Sequence, residues 1–195
     1  VAMFSMGEEP VEVSVDCASS FSEFTLKPDR YNIQVTQSGN RLSFTVDEPM
    51  NLVLQIPGRT PLAILVTPME IDVPSEGDPD VLYFAPGIQD VGVIQPVSGQ
   101  TIYFAPGALV KGRIEAKDVD DVRVCGRGIL ETAGYSVRAD KTPGILFENC
   151  HRITVEGIGL RSYDTWWQSL YLNCTDVEVA QMNIFGVGVN TDGVD

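Results

Sequence analysis

The sequence predicts an all-β protein, in which a small antiparallel β-sandwich-like module leads into the first coils of a right-handed parallel β-helix. Three observations carry that prediction. Short runs of alternating apolar and polar residues fill the chain, and no long segment shows helical periodicity. The chain also repeats itself: residues 145–155 (ILFENCHRITV) align with 169–179 (SLYLNCTDVEV) at a constant offset of 24, with the Asn-Cys pair in the same place. Finally, 18 Gly and 12 Pro accompany abundant Val, Ile and Thr, a composition of strands separated by turns.

Residues 1–74 make up the expected sandwich-like module. Its inward candidates are Val11/Val13/Val15, Tyr31/Ile33/Val35, Leu42/Phe44/Val46, Leu52/Leu54/Ile56 and Leu62/Ile64. Ser38-Gly39-Asn40 and Pro57-Gly58 read as turns between these runs. Val1 to Met6 already reads as strand, which leaves room for an earlier part of the module. Residues 75–80 form a linker, because prolines, a glycine and acids interrupt both patterns there.

From residue 81 to 195 the repeats run on. Val81-Leu82-Tyr83-Phe84-Ala85-Pro86-Gly87 returns 20 residues later as Thr101-Ile102-Tyr103-Phe104-Ala105-Pro106-Gly107. Val122 to Leu130 matches Ile153 to Arg161 at an offset of 31, and the surplus over 24 implies an inserted loop near residues 132–142. Repeats of this length with strand periodicity are the mark of a solenoid, in which each coil buries its apolar side only against the next. Leu146, Ile153, Val155, Ile158 and Leu160 are therefore expected to meet Leu170, Val177, Val179, Met182 and Ile184. Asn149 and Asn173 fall at equivalent turns, where stacked asparagines tolerate left-handed backbone and bond along the stack.

Composition excludes several classes. A net charge of −14 argues against nucleic acid as a partner and fits the solvated faces of a secreted or periplasmic protein. No apolar run approaches the roughly 18 residues of a membrane span, and the N-terminus lacks a signal-peptide layout, although a removed signal is compatible with a chain that begins at Val1. The four cysteines show no CxxC spacing. Cys150 and Cys174 lie one repeat apart and read as buried thiols in a ladder rather than as a disulfide. His151, the single histidine, aligns with Thr175 in an exposed turn and supports no Ser-His-Asp or Cys-His arrangement. Arg127, between two glycines, reads as a turn residue, and Arg161 with Asp164 as a local ion pair.

The repeats end on Asn190-Thr191-Asp192-Gly193-Val194-Asp195. This hexapeptide, arriving after β coils, resembles the Asn-Thr-Asp signature of the polygalacturonase family, glycoside hydrolase family 28. Related right-handed β-helix hydrolases, such as the dextranase-type enzymes with an N-terminal β-sandwich, are similar in architecture. The resemblance covers roughly residues 80–195, the N-terminal part only, and includes Tyr103 to Gly112 and Val124 to Leu130.

The resemblance implies hydrolysis of glycosidic bonds in a polysaccharide or oligosaccharide with inversion, without a cofactor or metal. It makes Asp192 a catalytic acid, with Asp195 as a further candidate and Asn190 as a substrate contact. An inverting glycosidase needs two carboxyl groups about 6.5–9.5 Å apart, one to protonate the leaving oxygen and one to activate water. Extended backbone would point Asp192 and Asp195 to opposite faces, so a second coil must supply the partner. The family's Asp-Asp, Gly-His-Gly and Arg-x-Lys elements follow its first motif and are not among these residues, so this stretch by itself is expected to be inactive. By register Trp166 and Trp167 fall one coil from Asn190 and Thr191, where an aromatic face could stack on a sugar, and Gln168 falls on Asp192 and could bond a substrate hydroxyl. The plainer alternatives are core-covering tryptophans and an ordinary Asp-Gly turn acid. Two rival functions stay open: a polysaccharide lyase using calcium, and a non-catalytic glycan-binding module. Unpaired strand edges at an open last coil also predict self-association.

Overall fold

The computed structural model describes residues 1–195 apart from Asp164 and Asn190. Among the described residues it is all-β apart from one 3-10 turn at Asp29–Tyr31, and its contacts divide it into two compact units, Val1–Ile71 and Asp72–Asp195. Among the described residues no helix is long and apolar enough to cross a membrane.

The first unit contains β1 (Ala2–Met6), β2 (Val11–Asp16), β3 (Thr25–Lys27), β4 (Thr36–Ser38), β5 (Arg41–Val46), β6 (Met50–Gln55) and β7 (Leu62–Pro68). One sheet has the order β1-β7-β6-β3 and the other β2-β5-β4. Alternation decides which side chains are buried: Leu42, Phe44 and Val46 on β5 and Met50, Leu52 and Leu54 on β6 enter one shared apolar cluster. Burying side chains of this size stabilises by roughly 1.5–3 kcal/mol each. Two details differ from the expectation. The first sheet is mixed, because β1 runs parallel to β7, with Ala2 opposite Ile64. Tyr31, Ile33 and Val35 pack on the core but lie outside any strand; the 3-10 turn ends with Asn32 at φ 49, which turns the chain before β4 begins at Thr36.

The second unit consists of stacked parallel strands. They are β8 (Val81–Phe84), β9 (Gly87–Ile94), β10 (Thr101–Phe104), β11 (Ala108–Lys117), β12 (Asp120–Gly126), β13 (Ile129–Glu131), β14 (Ile145–Glu148), β15 (His151–Glu156), β16 (Gly159–Tyr163), β17 (Ser169–Leu172), β18 (Thr175–Ala180) and β19 (Asn183–Val187). One sheet has the order β18-β15-β12-β10-β8; the other is β17-β14-β11-β13-β16-β19, with β9 beside β11. Each offset seen in the sequence is a ladder register: Val81 faces Thr101, Val122 faces Ile153, and Ile145, His151 and Gly159 face Ser169, Thr175 and Asn183. The inserted loop occupies 132–144, between β13 and β14.

Stacking turns the sequence repeat into columns of like residues. Leu82, Ile102, Val124, Val155 and Val179 form one such column, from β8 to β18. Phe147 stacks on Tyr171 with ring centroids 5.8 Å apart and planes 4° from parallel. One outward column alternates in charge: Asp90, Lys111, Glu131 and Arg161 follow one another across β9, β11, β13 and β16. Opposite charges directly across a ladder attract, whereas a column of one sign would repel at this spacing.

The turn before β15 and its equivalents are held by a polar column. Asn173 Nδ2 donates to Asn149 Oδ1 at 2.8 Å, and Asn149 Nδ2 donates to Asp118 Oδ1 at 3.0 Å. All three residues are left-handed, with φ between 51° and 53°. Asn149→Ala removes both bonds and places a poorly suited residue in that conformation, so urea unfolding is expected to show a loss of about 2 kcal/mol. Asn149→Gly keeps the backbone freedom and should lose less; equal losses would mean that the backbone conformation contributes nothing.

Candidate functional site

The candidate residues gather where β17 meets the segment that follows β19. Gln168 N–H donates to Asp192 O at 2.8 Å, Ser169 N–H to Gly193 O at 3.1 Å, and Tyr171 N–H to Asp195 O at 2.9 Å. Asp195 N–H donates back to Ser169 O at 3.1 Å. The acidic segment therefore pairs in parallel with the start of β17, through an isolated bridge between Ser169 and Val194.

That bridge moves the register by one. Ile145 faces Ser169 at the 24-residue offset, but Ser169 faces Val194 rather than Gly193. The expected 24-residue register of Gln168 with Asp192 is thus corrected to 25 at the neighbouring bridge, although Gln168 and Asp192 still meet through the backbone bond. A one-residue change exchanges the faces of a strand. Asp192 and Asp195 are both exposed, while Gln168 is wholly buried.

Gln168 is seated by glycines. A Cβ at Gly186 would lie 2.9 Å from Gln168 Nε2, and one at Gly144 would lie 2.9 Å from Gln168 O and from Thr132 Cγ2. Its Nε2 donates to Ser162 Oγ. Ser162, Thr165, Ser169, Thr132 and Ser136 are buried as well, so the interior turns polar at these strand ends. Enclosed in this way, Gln168 does not present its amide to an outer surface, as the hydroxyl contact expected of it requires. Its Oε1 and the Tyr171 hydroxyl are the buried side-chain polar atoms that lack a hydrogen bond among the described residues.

Trp166 and Trp167 are half-buried, with ring centroids 5.2 Å apart and planes tilted by 37°. Lys141, from the inserted loop, sits with Nζ 5.8 Å from the Trp166 ring centroid, within reach of a cation–π attraction. The same loop is tied down by the Tyr135 hydroxyl, which donates to Asp90, and by Ser136 Oγ, which donates to Thr142 O. Arg161 lies on β16 and pairs with Glu131. Asn190, expected to touch substrate, and Asp164, expected to pair with Arg161, lie outside the described residues. Ser162, Gly144 and Gly186 were not singled out by sequence reasoning; the one visible signal was the glycines themselves, Gly144 just before β14 and Gly186 within β19.

Two other expectations change. Arg127 is buried, with Nη1 donating to Gly126 O at 3.1 Å, and a Cβ at Gly157 would collide with its guanidinium. His151 opens β15 rather than lying in a turn, and its Nδ1 is 2.6 Å from Thr175 Oγ1.

An open concavity of about 570 Å³ lies elsewhere, on the outer side of β12, β15 and β18, between Asp121, Arg123, Arg152, Thr154, Asp176 and Glu178. Its cations are already engaged, Arg152 by Asp121 and Arg123 by Glu156. The Arg152 guanidinium holds the Asp121 carboxyl below its ordinary range, and Asp121 raises Arg152 in turn. Both arginines of this concavity are thus paired with carboxylates of the sheet surface itself.

Burial pushes the Tyr171 phenol up from its ordinary 10.0 to about 12, with nearby Ser169 opposing the shift. The folded chain therefore keeps this proton at pH values where the unfolded chain has lost it. Its contribution to stability is complete below pH 10 and is lost as pH rises through about 12. Urea unfolding between about pH 9 and 11 should show a decline of about 1 kcal/mol that Tyr171→Phe removes. A decline of the same size in the variant would assign it to other groups.

No protein-family model matches the chain, and no curated protein matches it. Among the solved structures that match is that of a protein from Parabacteroides merdae ATCC 43184, named provisionally as a glycosyl hydrolase. It is similar to this chain at 18% identity with a TM-score of 0.47, over 57% of this chain and 61% of its own. The chain thus spans less than two thirds of that structure.

Proposed function

We propose that this chain belongs to a secreted or periplasmic polysaccharide hydrolase, and that its stacked strands are the opening coils of a right-handed parallel β-helix. Parallel strands of one sheet are joined by right-handed crossovers in nearly all known cases, which favours that hand. The reaction is hydrolysis of a glycosidic bond, of the inverting, polygalacturonase-like kind. The observation that carries the reading is the backbone bonding of 192–195 to 168–171, which holds the exposed Asp192 by its carbonyl on the Gln168 N–H, beside the tryptophan pair that precedes Gln168 in the chain.

In this reading the Asp192 carboxylate takes a proton from the attacking water while a carboxylic acid on another coil protonates the leaving oxygen. Trp166 and Trp167 offer aromatic faces to a sugar ring, and Asn190 and Asp195 flank the acid. Gln168 acts from beneath, holding the segment through its backbone N–H rather than touching substrate.

The test is an assay of the natural full-length polypeptide on a panel of neutral and acidic polysaccharides. New reducing ends, an inverted anomeric configuration by NMR, and a loss of about 10²–10⁴-fold in kcat for Asp192→Asn are expected. Ultraviolet-absorbing unsaturated products that a chelator suppresses would point to a lyase; binding without cleavage would point to a glycan-binding module. Either result overturns the proposal.

A further inference from the structure

Cys150 and Cys174 occupy one column of the stack. Thr175 N–H donates to Cys150 O at 3.1 Å, so the two coils touch through backbone at this step. The neighbours on both sides also meet through their side chains: Asn173 with Asn149 at 2.8 Å, and Thr175 with His151 at 2.6 Å. The cysteines between them are thereby held in register. Stacked parallel residues lie about 4.8 Å apart, inside the Cα separation of about 4.4–6.8 Å that a disulfide bridges.

The thiols point the same way. Cys150 Sγ is 3.2 Å from Glu148 O and 3.8 Å from Ala116 O, one coil back. Cys174 Sγ is likewise 3.3 Å from Leu172 O and 3.4 Å from Phe147 O, one coil back and so toward the coil of Cys150. Both are free, Cys150 fully buried and Cys174 partly exposed. Thiol donors bond carbonyls weakly, so exchanging these contacts for a covalent bond costs little.

We propose that Cys150 and Cys174 form a dithiol site that a small-molecule disulfide oxidant closes into a bond stapling two adjacent coils. Cys174, the accessible member, loses its proton and attacks one sulfur of glutathione disulfide. A mixed disulfide forms and one glutathione leaves. The Cys150 thiolate then attacks the Cys174 sulfur and expels the second glutathione. Two protein thiols are oxidised, one glutathione disulfide is reduced to two glutathiones, and two protons pass from the protein to them. Burial pushes the Cys174 thiol up, so little thiolate is present at neutral pH and the reaction is slow.

The experiment treats the native chain with excess glutathione disulfide, blocks remaining thiols by alkylation in denaturant, and maps tryptic peptides by mass spectrometry. Trypsin leaves Cys150 in 142–152 and Cys174 in 162–195, so the staple appears as these two peptides joined. Two of the four thiols should disappear, and dithiothreitol should restore them. In Cys174→Ser, Cys150 should stay unmodified because the accessible attacker is gone; should that variant not fold, the wild-type map still decides. Four persistent thiols, glutathione adducts without the joined peptides, or links to Cys17 or Cys125 would each overturn the proposal.

Discussion

The second unit depends on a single constraint: a residue and its counterpart one coil later sit side by side in a parallel ladder, about 4.8 Å apart. A dihedral angle adopted at one coil must then be adopted at the next. The turn columns show this directly. Asp118, Asn149 and Asn173 share φ values of 51–53°, and Asp121, Arg152 and Asp176 share 55–57°. Asn and Asp enter this region readily because their short side chains bond locally. Arg152 has no such advantage. It is held there by its bidentate pair with Asp121 and by the nearby acids Asp120 and Asp176.

The same constraint sorts the rest of the side chains. Inward columns collect Ile, Val, Leu and Phe, and the outward column Asp90, Lys111, Glu131 and Arg161 sets opposite charges beside one another. Where two backbones approach too closely for any side chain, glycine is required: at Gly126, with φ 123°, a Cβ would fall 2.1 Å from Phe104 O. Stability is thus distributed along columns rather than concentrated in one patch, as expected when each repeat buries its surface on its neighbours.

Around Gln168 the column rule relaxes. The column Ile94, Ile114 and Ile145 is apolar until it reaches Ser169, whose hydroxyl donates to Gly193 O at 2.9 Å. From there the interior carries serines, threonines and a buried amide, and the register lengthens by one residue. Buried polar groups cost free energy unless they are bonded, and Gln168 Oε1 and the Tyr171 hydroxyl are left in that condition among the described residues. An acid-bearing segment with both carboxyl groups exposed is joined to the stack at this point, by backbone bonds and not by an apolar core.

The ladder itself was legible from sequence alone. Offsets of 20, 31 and 24 became registers because a repeated apolar pattern admits only one pairing that keeps every inward residue inward. The asparagine turns and the position of the inserted loop followed from the same alignment. Two features of the first unit were not legible in this way. The parallel pairing of β1 with β7 joins residues far apart in the chain, and the irregular path of Tyr31 to Val35 depends on one left-handed residue, so alternation cannot reveal either. Near the candidate acids, sequence brought Gln168 and Asp192 to the same step of the stack. Tertiary structure alone decided that the acid faces solvent while the amide is enclosed, because a single residue's change of register reverses the faces of a strand and leaves its composition untouched.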